Sequence, residues 1–386
     1  LTLGPNLGCS GSAATGSGGG PGPGGSGGIG GAGGGIAGAC TSSLVSSEPM
    51  VSLDPSIEMW RIVYTSESID GTPIEVSGVV ATAAELSSDE PRDVVTFAHG
   101  TTGLFDPCAP SANPAYYFFV ELMPELVGAG YVAVMSDYEG LGSPGTHPYY
   151  VGASEGRGVV DIVCAAQQVE GVSASNRAVV WGTSQGGHGA LFAGEIAPTY
   201  EPNIEWLGVV SAAPGSELVE VFNSGAPDAP GARGYLWMMT IGLEVGYPEL
   251  NIEDVYMPGA LAVINDLINR EACAGEFLTA GRSFENAGFA TNPLDLPNWP
   301  EVLEENSPGI VRSEMPVLVL QGLEDTVVPF RFTDLLFDRM CETGTQTDYR
   351  RFDGGTHRVL TENLPAALEW TAERFAGEAA ADSCGD

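Results

Sequence analysis

The sequence predicts an α/β fold with a mostly parallel central sheet flanked by helices and an inserted, mainly helical segment. Short apolar runs alternate with amphipathic stretches from residue 93 to 212, and the alternation resumes from 316 to 375. Strands that alternate with helices in this way usually form a parallel sheet covered on both faces. Residues 215–310 interrupt the alternation. Apolar residues with helical spacing, such as Leu261 and Ile264, indicate helices there.

Each element follows from its own pattern: short apolar and β-branched runs predict strands, and one-sided apolar spacing predicts helices. The first two strands flank Asp70-Gly71, a dipeptide typical of hairpin turns. A closing helix has its apolar stripe at Leu364, Leu368 and Phe375. In chain order, the predicted strands are 58–66, 73–82, 93–98, 131–136, 177–181, 206–212, 316–320 and 347–352, and the other predicted helices are 114–128, 154–170, 187–197 and 330–341.

The amino-terminal tract 10–43 consists largely of glycine, serine, alanine and proline and has no apolar periodicity. This composition is typical of a flexible linker or tail. We therefore expect a flexible tail at 1–46, an α/β core formed by 47–214 and 311–386, and a helical cap, or lid, at 215–310.

The overall charge argues against several classes of partner. The chain has 50 acidic and 14 basic residues, which gives a net charge of −36, and every basic residue is arginine. Such a charge repels nucleic acid and anionic membrane surfaces. We expect a small-molecule substrate and no nucleic-acid partner.

Seven widely spaced cysteines include no C-x-x-C pair, so the sequence predicts no zinc site, and we expect neither metal nor cofactor. Wide spacing in an exported protein is typical of long-range disulfides. We expect the pairs Cys108–Cys273 and Cys341–Cys384, although spacing alone does not determine pairing. Cys164 lies on the apolar face of a predicted helix, where we expect a buried free thiol.

Residues 7–10 (LGCS) precede the Gly/Ser tract and look like a bacterial lipoprotein attachment site, with Cys9 as the lipid acceptor. Asn6 stands where such sites have an aliphatic residue. We expect the protein to be secreted or associated with the cell envelope.

A G-x-S-x-G motif, Gly182-Thr183-Ser184-Gln185-Gly186, lies between a short apolar run and a helix-compatible segment. A strand that turns sharply into a helix exposes the serine and needs small flanking residues. The hydroxyl then lies at a helix N-terminus, where free N–H groups favour developing negative charge. The motif predicts that Ser184 is a nucleophile.

A serine hydroxyl needs a base within hydrogen-bond reach, and the chain has four histidines. His357 lies in a Gly-rich loop after the last strand, at the carboxyl edge of the sheet where sites assemble. His188 follows Ser184 on the same helix and should point away from a substrate. His99 lies in a loop that has another use, and His147 stays an alternative. We expect His357 to be the base.

The base needs a carboxylate that fixes its tautomer. Asp325 follows the apolar strand 316–320 and also lies at a carboxyl edge. Glu324 and Asp353 are alternatives, but the Val-Val-Pro sequence shortly after Asp325 turns the chain away there. The chain order of serine, aspartate and histidine is typical of α/β-hydrolases.

An oxyanion intermediate needs two backbone donors. The Gln185 N–H directly follows the nucleophile. The loop after strand 93–98 is rich in glycine, which lets the backbone approach a substrate, and we assign the second donor to the Thr101 N–H, with Thr102 as the alternative.

Five segments carry a family resemblance: 98–103 (AHGTTG), 136–142 (SDYEGLG), 182–187 (GTSQGG), 322–329 (GLEDTVVP) and 355–357 (GTH). Through them, the globular part resembles the secretory lipases of the Candida antarctica lipase A type and their bacterial relatives. The resemblance implies an α/β-hydrolase fold with a helical cap over the serine, hydrolysis of acylglycerols and simpler esters, and no metal. It carries over Ser184 as nucleophile, Asp325 as acid and His357 as base.

We therefore expect a lipase or carboxylesterase that cleaves acyl esters through an acyl-enzyme on Ser184, with a cap that contacts a lipid interface. An acyltransferase or peptidase with the same three side chains is the alternative, and a non-catalytic surface protein is a third class. Asp137 and Glu139 could line the site, but we favour buried hydrogen bonds that shape its loops.

Overall fold

A computed structural model describes residues 40–85, 90–113, 115–224 and 229–385 of the chain. Residues 1–39, which include Cys9 and most of the predicted tail, lie outside the described residues. Among the helices that are described, none combines the length and the apolar composition needed to cross a bilayer.

The described residues contain nine strands in one sheet, in the order β1-β2-β3-β5-β4-β6-β7-β8-β9. The pairs β1–β2, β2–β3 and β3–β5 are antiparallel, and the remaining pairs are parallel. The predicted mostly parallel sheet is therefore confirmed. The strands are β1 Leu44–Met50, β2 Ile57–Glu67, β3 Pro73–Ala83, β4 Arg92–Ala98, β5 Val132–Ser136, β6 Ala174–Thr183, β7 Glu205–Ala212, β8 Val317–Gly322 and β9 Thr347–Phe352.

Helices cover both faces of the sheet because its central strands are apolar on both sides. The described α-helices are α1 Met123–Gly128, α2 Gly152–Ala166, α3 Gln185–Tyr200, α4 Leu218–Asn223, α5 Arg233–Gly246, α6 Pro258–Asn269, α7 Ala274–Gly281, α8 Trp299–Glu305, α9 Phe330–Thr343, α10 Val359–Glu362 and α11 Leu364–Phe375. In β6, Val180 packs on the face covered by α2 and α3, and Val179 and Trp181 pack on the face covered by α1 and α11. This alternation follows the two-residue period of a strand.

Helices α4 to α8 all lie within 215–310, which we call the helical insertion. The predicted helix is α6, in which Ile264 is fully buried and Leu261 and Ile268 are partly buried against the insertion's other apolar side chains. The predicted helix at 114–128 is shorter than expected, since α1 is preceded by a π-helical turn at Phe118–Leu122.

Three disulfides join distant parts of the described chain. The expected pairs Cys108–Cys273 and Cys341–Cys384 are confirmed. The prediction of a free thiol at Cys164 is wrong, because Cys164 on α2 pairs with Cys40. Strand β1 also begins inside the predicted tail 1–46, so the ordered core includes residues before the expected boundary.

Candidate active site

Ser184 lies at the turn between β6 and α3, in strained backbone. Its φ of 58° and ψ of −121° are unusual for a residue with a side chain. The turn is held by hydrogen bonds from the Ser184 N–H to the Ala212 carbonyl, at 2.9 Å, and from the Gly215 N–H to the Ser184 carbonyl, at 3.2 Å. The sequence motif therefore forms the strand–turn–helix expected of it.

The flanking glycines are required by the close approach of strand and helix. A Cβ atom on Gly182 would lie 1.9 Å from the Gly186 carbonyl oxygen, and one on Gly186 would lie 1.9 Å from the Ala98 carbonyl oxygen. Both distances fall far inside van der Waals contact. Glycine at these positions lets the turn lie directly against the end of β4.

The turn brings Ser184 to His357 and Asp325, which lie 173 and 141 residues further along the chain. The Ser184 Oγ is 3.0 Å from His357 Nε2, and His357 Nδ1 is 2.8 Å from Asp325 Oδ2. Because a carboxylate only accepts hydrogen bonds, Nδ1 carries the proton and donates a hydrogen bond to Asp325. Nε2 is then free to accept the hydrogen bond from the serine hydroxyl.

The Asp325 side chain is held in place by hydrogen bonds from the backbone of its own loop, which follows β8. Its side chain is buried, and Oδ1 accepts hydrogen bonds from the N–H groups of Val327 and Val328 at 2.8 and 2.9 Å. The alternative acids Glu324 and Asp353 are both exposed. The geometry therefore selects Asp325 as the partner of His357.

The other three histidines are buried and hold loops around the turn. His99 Nδ1 lies 2.7 Å from the Gly100 carbonyl, and burial lowers the pKa of His99. His147 Nδ1 lies 2.9 Å from the Glu139 carbonyl, and burial lowers the pKa of His147 to about 4. His147, the alternative base, is directed to the Gln185 side chain and not to Ser184.

A buried acid–histidine pair lies under the turn. Glu155 Oε2 is 2.7 Å from His188 Nδ1, and Oε1 accepts from the Gln185 side-chain amide at 2.9 Å and from the Tyr150 N–H at 3.0 Å. Burial alone raises the pKa of Glu155, but the charge and hydrogen bonds of its partners, His188 first, outweigh burial and hold the pKa below its usual value. This pair anchors the side chain next to Ser184.

Asp137 shows the buried hydrogen bonding that the sequence favours. Its carboxylate accepts from Ser77 Oγ at 2.6 Å, from Ser111 Oγ at 2.5 Å and from the Ser111 N–H at 2.9 Å. Glu139 accepts from Ser154 Oγ at 2.5 Å. Neither acid lines the cavities described next.

Two cavities meet at Ser184. The larger has a volume of about 400 Å³ and the smaller of about 290 Å³. Among the described residues, Thr101, Ser184 and Tyr235 line both cavities. Ser184 is thus open to small molecules on two sides.

The two expected backbone donors lie beside Ser184. Gln185 is the first residue of α3, where an N–H group has no partner within the helix. Thr101 lines both cavities, and its hydroxyl is 2.6 Å from the buried Tyr149 hydroxyl, which holds the loop after β4. Thr102, which is also described, lines neither cavity. The arrangement therefore favours Thr101 over Thr102.

Within the described part of the chain, one group of side chains has potential ligand atoms close enough to share a metal ion: Cys40, Cys164 and Glu201. The two cysteines form a disulfide, and one Glu201 oxygen accepts hydrogen bonds from the N–H and hydroxyl of Thr41. The group is therefore occupied by protein contacts, and it lies apart from the residues around Ser184.

Nothing in the sequence pattern singles out Glu155 or Tyr235. Glu155 lies in α2 among small residues and near Arg157, and only the fold shows that it pairs with the buried His188. Tyr235 lies on α5 of the helical insertion, whose docking on the core has no periodic sequence signal.

The sheet order, the helices on both faces and the strained strand-to-helix turn define the chain as an α/β-hydrolase. Candida antarctica lipase A in its closed state has the same fold, with a TM-score of 0.76 at 15% identity, over 89% of this chain and 84% of that structure. Lipase 6 of Candida albicans is 23% identical over 84% of this chain and 74% of its own length. The trichothecene C-3 esterase of Fusarium sporotrichioides is 26% identical over 65% of this chain and 58% of its own length.

The sequence model of the secretory lipase family matches residues 119–383. The chain belongs to the secretory lipase family and is a carboxylic ester hydrolase. The family name also indicates a secreted protein that acts on small-molecule esters or lipids. The expected family and enzyme class are confirmed.

Proposed function

We propose that this enzyme hydrolyses acyl esters through an acyl-enzyme on Ser184, with His357 as general base and acid and Asp325 as the residue that orients His357. The observation that carries the proposal is the continuous hydrogen-bonded series from Ser184 Oγ through the imidazole to Asp325, at 3.0 and 2.8 Å. A serine hydroxyl becomes an effective nucleophile only when a base lies at such a distance.

In the first half-reaction, His357 Nε2 takes the Ser184 hydroxyl proton while Oγ forms a bond to the ester carbonyl carbon. The tetrahedral intermediate then collapses: the bond from carbon to the alcohol oxygen breaks, and Nε2–H donates its proton to that oxygen. In the second half-reaction, water replaces the alcohol, and its attack releases the acid and restores Ser184. General base and acid catalysis of this kind contributes roughly 10²- to 10⁴-fold in rate.

The N–H groups of Gln185 and Thr101 would bind the oxyanion of both tetrahedral intermediates. The positions of these two residues support this role. Gln185 begins α3 directly after the nucleophile, and Thr101 lines both cavities together with Ser184. The positive end of the α3 dipole adds to the stabilisation of negative charge there.

The helical insertion would act as the cap over the site and supply its acyl pocket. Helices α4 and α5 contribute Leu218, Val221, Leu236 and Met239 to the larger cavity. These apolar side chains suit an acyl chain, with a free energy of about 0.8 kcal/mol for each buried methylene. The cap surface around the cavity would contact a lipid interface.

The test is hydrolysis of p-nitrophenyl esters of increasing acyl length by the wild type and by Ser184→Ala. We expect the rate to fall by several orders of magnitude in Ser184→Ala, because the other groups retain only part of the catalysis. Ser47→Ala, a substitution at an exposed serine of β1, is the matched control and should behave as the wild type.

A fluorophosphonate probe gives an independent readout. The probe should label the wild type and Ser47→Ala at Ser184 and leave Ser184→Ala unlabelled. Equal ester hydrolysis by the wild type and Ser184→Ala would rule out the mechanism. A preference for short acyl chains would favour an esterase over a lipase.

Attachment to a cell envelope through a lipid on Cys9 also stays a prediction. Metabolic labelling with a fatty-acid analogue should mark the protein when it is produced in a bacterial host, and Cys9→Ser should abolish the label. The absence of label in the wild type would contradict lipidation.

A further inference from the structure

The loop between β7 and α4, residues 213–217, adds a polar stretch to the largely apolar wall of the larger cavity. Ser216 and Glu217 of this loop line the cavity, next to Leu218 at the start of α4. The Gly215 N–H donates to the Ser184 carbonyl at 3.2 Å, so the loop lies directly beside the turn that carries the nucleophile. A chain attached to Ser184 in this cavity would therefore pass close to the two polar residues.

Ser216 has a hydroxyl group that no protein group satisfies. The residue is 1% exposed, and its Oγ has no hydrogen-bond partner in the part of the chain that the structure describes. Most buried polar atoms in folded proteins have a partner, and one without a partner destabilises the fold. Among the described residues that line the larger cavity, Ser216 alone has such a hydroxyl. A ligand that forms a hydrogen bond with Oγ would remove this penalty.

Glu217 has a carboxylate whose charge is already balanced. Its side chain is buried, and Arg339 donates to both of its oxygens, from Nη2 to Oε1 at 2.5 Å and from Nη1 to Oε2 at 3.1 Å. Arg339 is itself held by the Pro308 carbonyl, which accepts from Nε at 3.0 Å. Each carboxylate oxygen can accept two hydrogen bonds, so each keeps some capacity after the one from Arg339. Glu217 is therefore a fixed acceptor with a neutralised charge.

The two side chains together fit a hydroxyl group. A ligand hydroxyl can accept a hydrogen bond from Ser216 and donate one to a Glu217 oxygen at the same time. A plain hydrocarbon chain would leave both groups unpaired. A ligand carboxylate would be repelled by Glu217, and a ligand ammonium group would lose its hydration beside an acid that Arg339 already neutralises. The chemistry of the loop therefore selects a neutral group that both donates and accepts.

We propose that Ser216 and Glu217 form a subsite for a hydroxyl group on the acyl chain, and that esters of hydroxy acids are the preferred substrates. The inference rests on the function proposed above, because it needs an acyl chain attached to Ser184. It adds a polar recognition element to the aliphatic contacts that α4 and α5 supply. The two residues determine specificity and take no part in the proton transfers.

The experiment compares ethyl esters of ω-hydroxy acids of about four to twelve carbons with ethyl esters of the unsubstituted acids of the same length. The released acid is titrated at constant pH, and kcat/KM is measured for each pair. Because the hydroxyl is at the end of the chain, the chain length decides whether it reaches the subsite. We expect the ratio of the two kcat/KM values to reach a maximum of about tenfold at one length, the effect of one well-formed hydrogen bond. At shorter lengths the hydroxyl would lie among aliphatic side chains, and the ratio should fall below one.

Ser216→Ala removes the hydroxyl and adds no bulk to the buried site. At the optimal length, this substitution should lower the ratio to near one. Ser47→Ala, at an exposed serine of β1, is the matched control and should keep the wild-type ratio. Ethyl esters of ω-amino acids, which carry an ammonium group at neutral pH, should be poorer substrates of the wild type than the hydroxy esters.

The subsite and the proposed function fail in different ways. If the wild type cleaves the unsubstituted esters and Ser184→Ala does not, but the ratio stays at or below one at every length, only the subsite is overturned. A preference that persists in Ser216→Ala would remove Ser216 from the subsite, and a preference for the ω-amino esters would contradict the neutralisation of Glu217 by Arg339. If the wild type cleaves no ester, the proposed function falls and the subsite falls with it.

Discussion

Replacement of Glu155 by leucine tests whether the buried pair under the Ser184 turn supports the fold. Glu155 and His188 have fully buried side chains, and the carboxylate accepts three hydrogen bonds, from the Tyr150 N–H, the Gln185 amide and His188 Nδ1. Leucine has a similar size but no acceptor. The Tyr150 N–H and His188 Nδ1 would then lose their partner in the interior, and the Gln185 amide would keep only its contact with His147.

The size of the effect follows from those contacts. A buried donor left without its partner costs about 1–3 kcal/mol, and removal of one member of a buried ion pair costs about 3–5 kcal/mol in other proteins. We expect Glu155→Leu to lower the free energy of unfolding by about 3–5 kcal/mol, a large part of the 5–15 kcal/mol typical of a domain.

Glu155→Gln is the matched control. Its oxygen can still accept from Tyr150 and Gln185, and its amide can donate to Nδ1 of a neutral His188 whose Nε2 donates to the Asn306 carbonyl. We therefore expect less than half the loss caused by leucine. The pKa of Glu155 is lowered in the folded state, so its stabilisation is present above its ordinary pKa of 4.5 and disappears as the pH falls through the lowered value. Glu155→Gln should lack this acid-side loss.

The assay is urea unfolding followed by tryptophan fluorescence at pH 7 and at a series of lower pH values, with the disulfides intact. The reasoning would be refuted by a loss below 1 kcal/mol in Glu155→Leu, or by equal losses in the leucine and glutamine variants. Hydrolysis of p-nitrophenyl acetate, measured under folding conditions, should fall further in the leucine variant because the side chain of Gln185 loses its anchor.

Two other predictions concern stability. Burial raises the pKa of Asp161 to about 7, so folding is disfavoured progressively as the pH rises from about 4 to 7, by about 4 kcal/mol in total. In urea unfolding, the free energy of unfolding of Asp161→Asn should rise by this amount relative to that of the wild type as the pH increases over the same range. A difference between the two proteins that does not change with pH would contradict the prediction. Gly186→Ala places a Cβ against the Ala98 carbonyl. We expect the free energy of unfolding, measured by thermal unfolding, to fall by about 1–3 kcal/mol or more, and ester hydrolysis to fall strongly. Gly259→Ala on α6, where a Cβ meets no atom within 4 Å, should be neutral or stabilising, and equal effects at both positions would refute the steric argument.

The residues brought together at Ser184 could be predicted because their signals are local or topological. The turn at Ser184 depends on Gly182 and Gly186, which lie two residues before and two residues after it in the sequence. The positions of Asp325 and His357 follow from a general property of parallel sheets, whose strands direct their carboxyl ends to one edge. No knowledge of side-chain packing is needed for either step.

The disulfide of Cys164 shows where such reasoning stops. Cys164 lies on the buried face of α2, and this position alone suits a free thiol as well as a disulfide. Its partner, Cys40, precedes β1, which pairs with β2 at the far edge of the sheet. The pairing depends on a contact between residues 124 positions apart, and the Gly-rich sequence around Cys40 gives no sign of it.

The sequence predicts helices within 215–310, where α4 to α8 lie, but not how they attach to the core, and the attachment bears on selectivity. The Cys108–Cys273 disulfide joins it to the loop after β4, and His188 Nε2 donates to the Asn306 carbonyl at its carboxyl end, at 2.9 Å. The disulfide and the hydrogen bond both attach the insertion to segments that also hold the Ser184 turn. Because packed interiors resist deformation, an insertion held at two such points should keep the cavity walls in place. We therefore expect selectivity between esters to depend on the side chains that line the cavities more than on movement of the whole insertion.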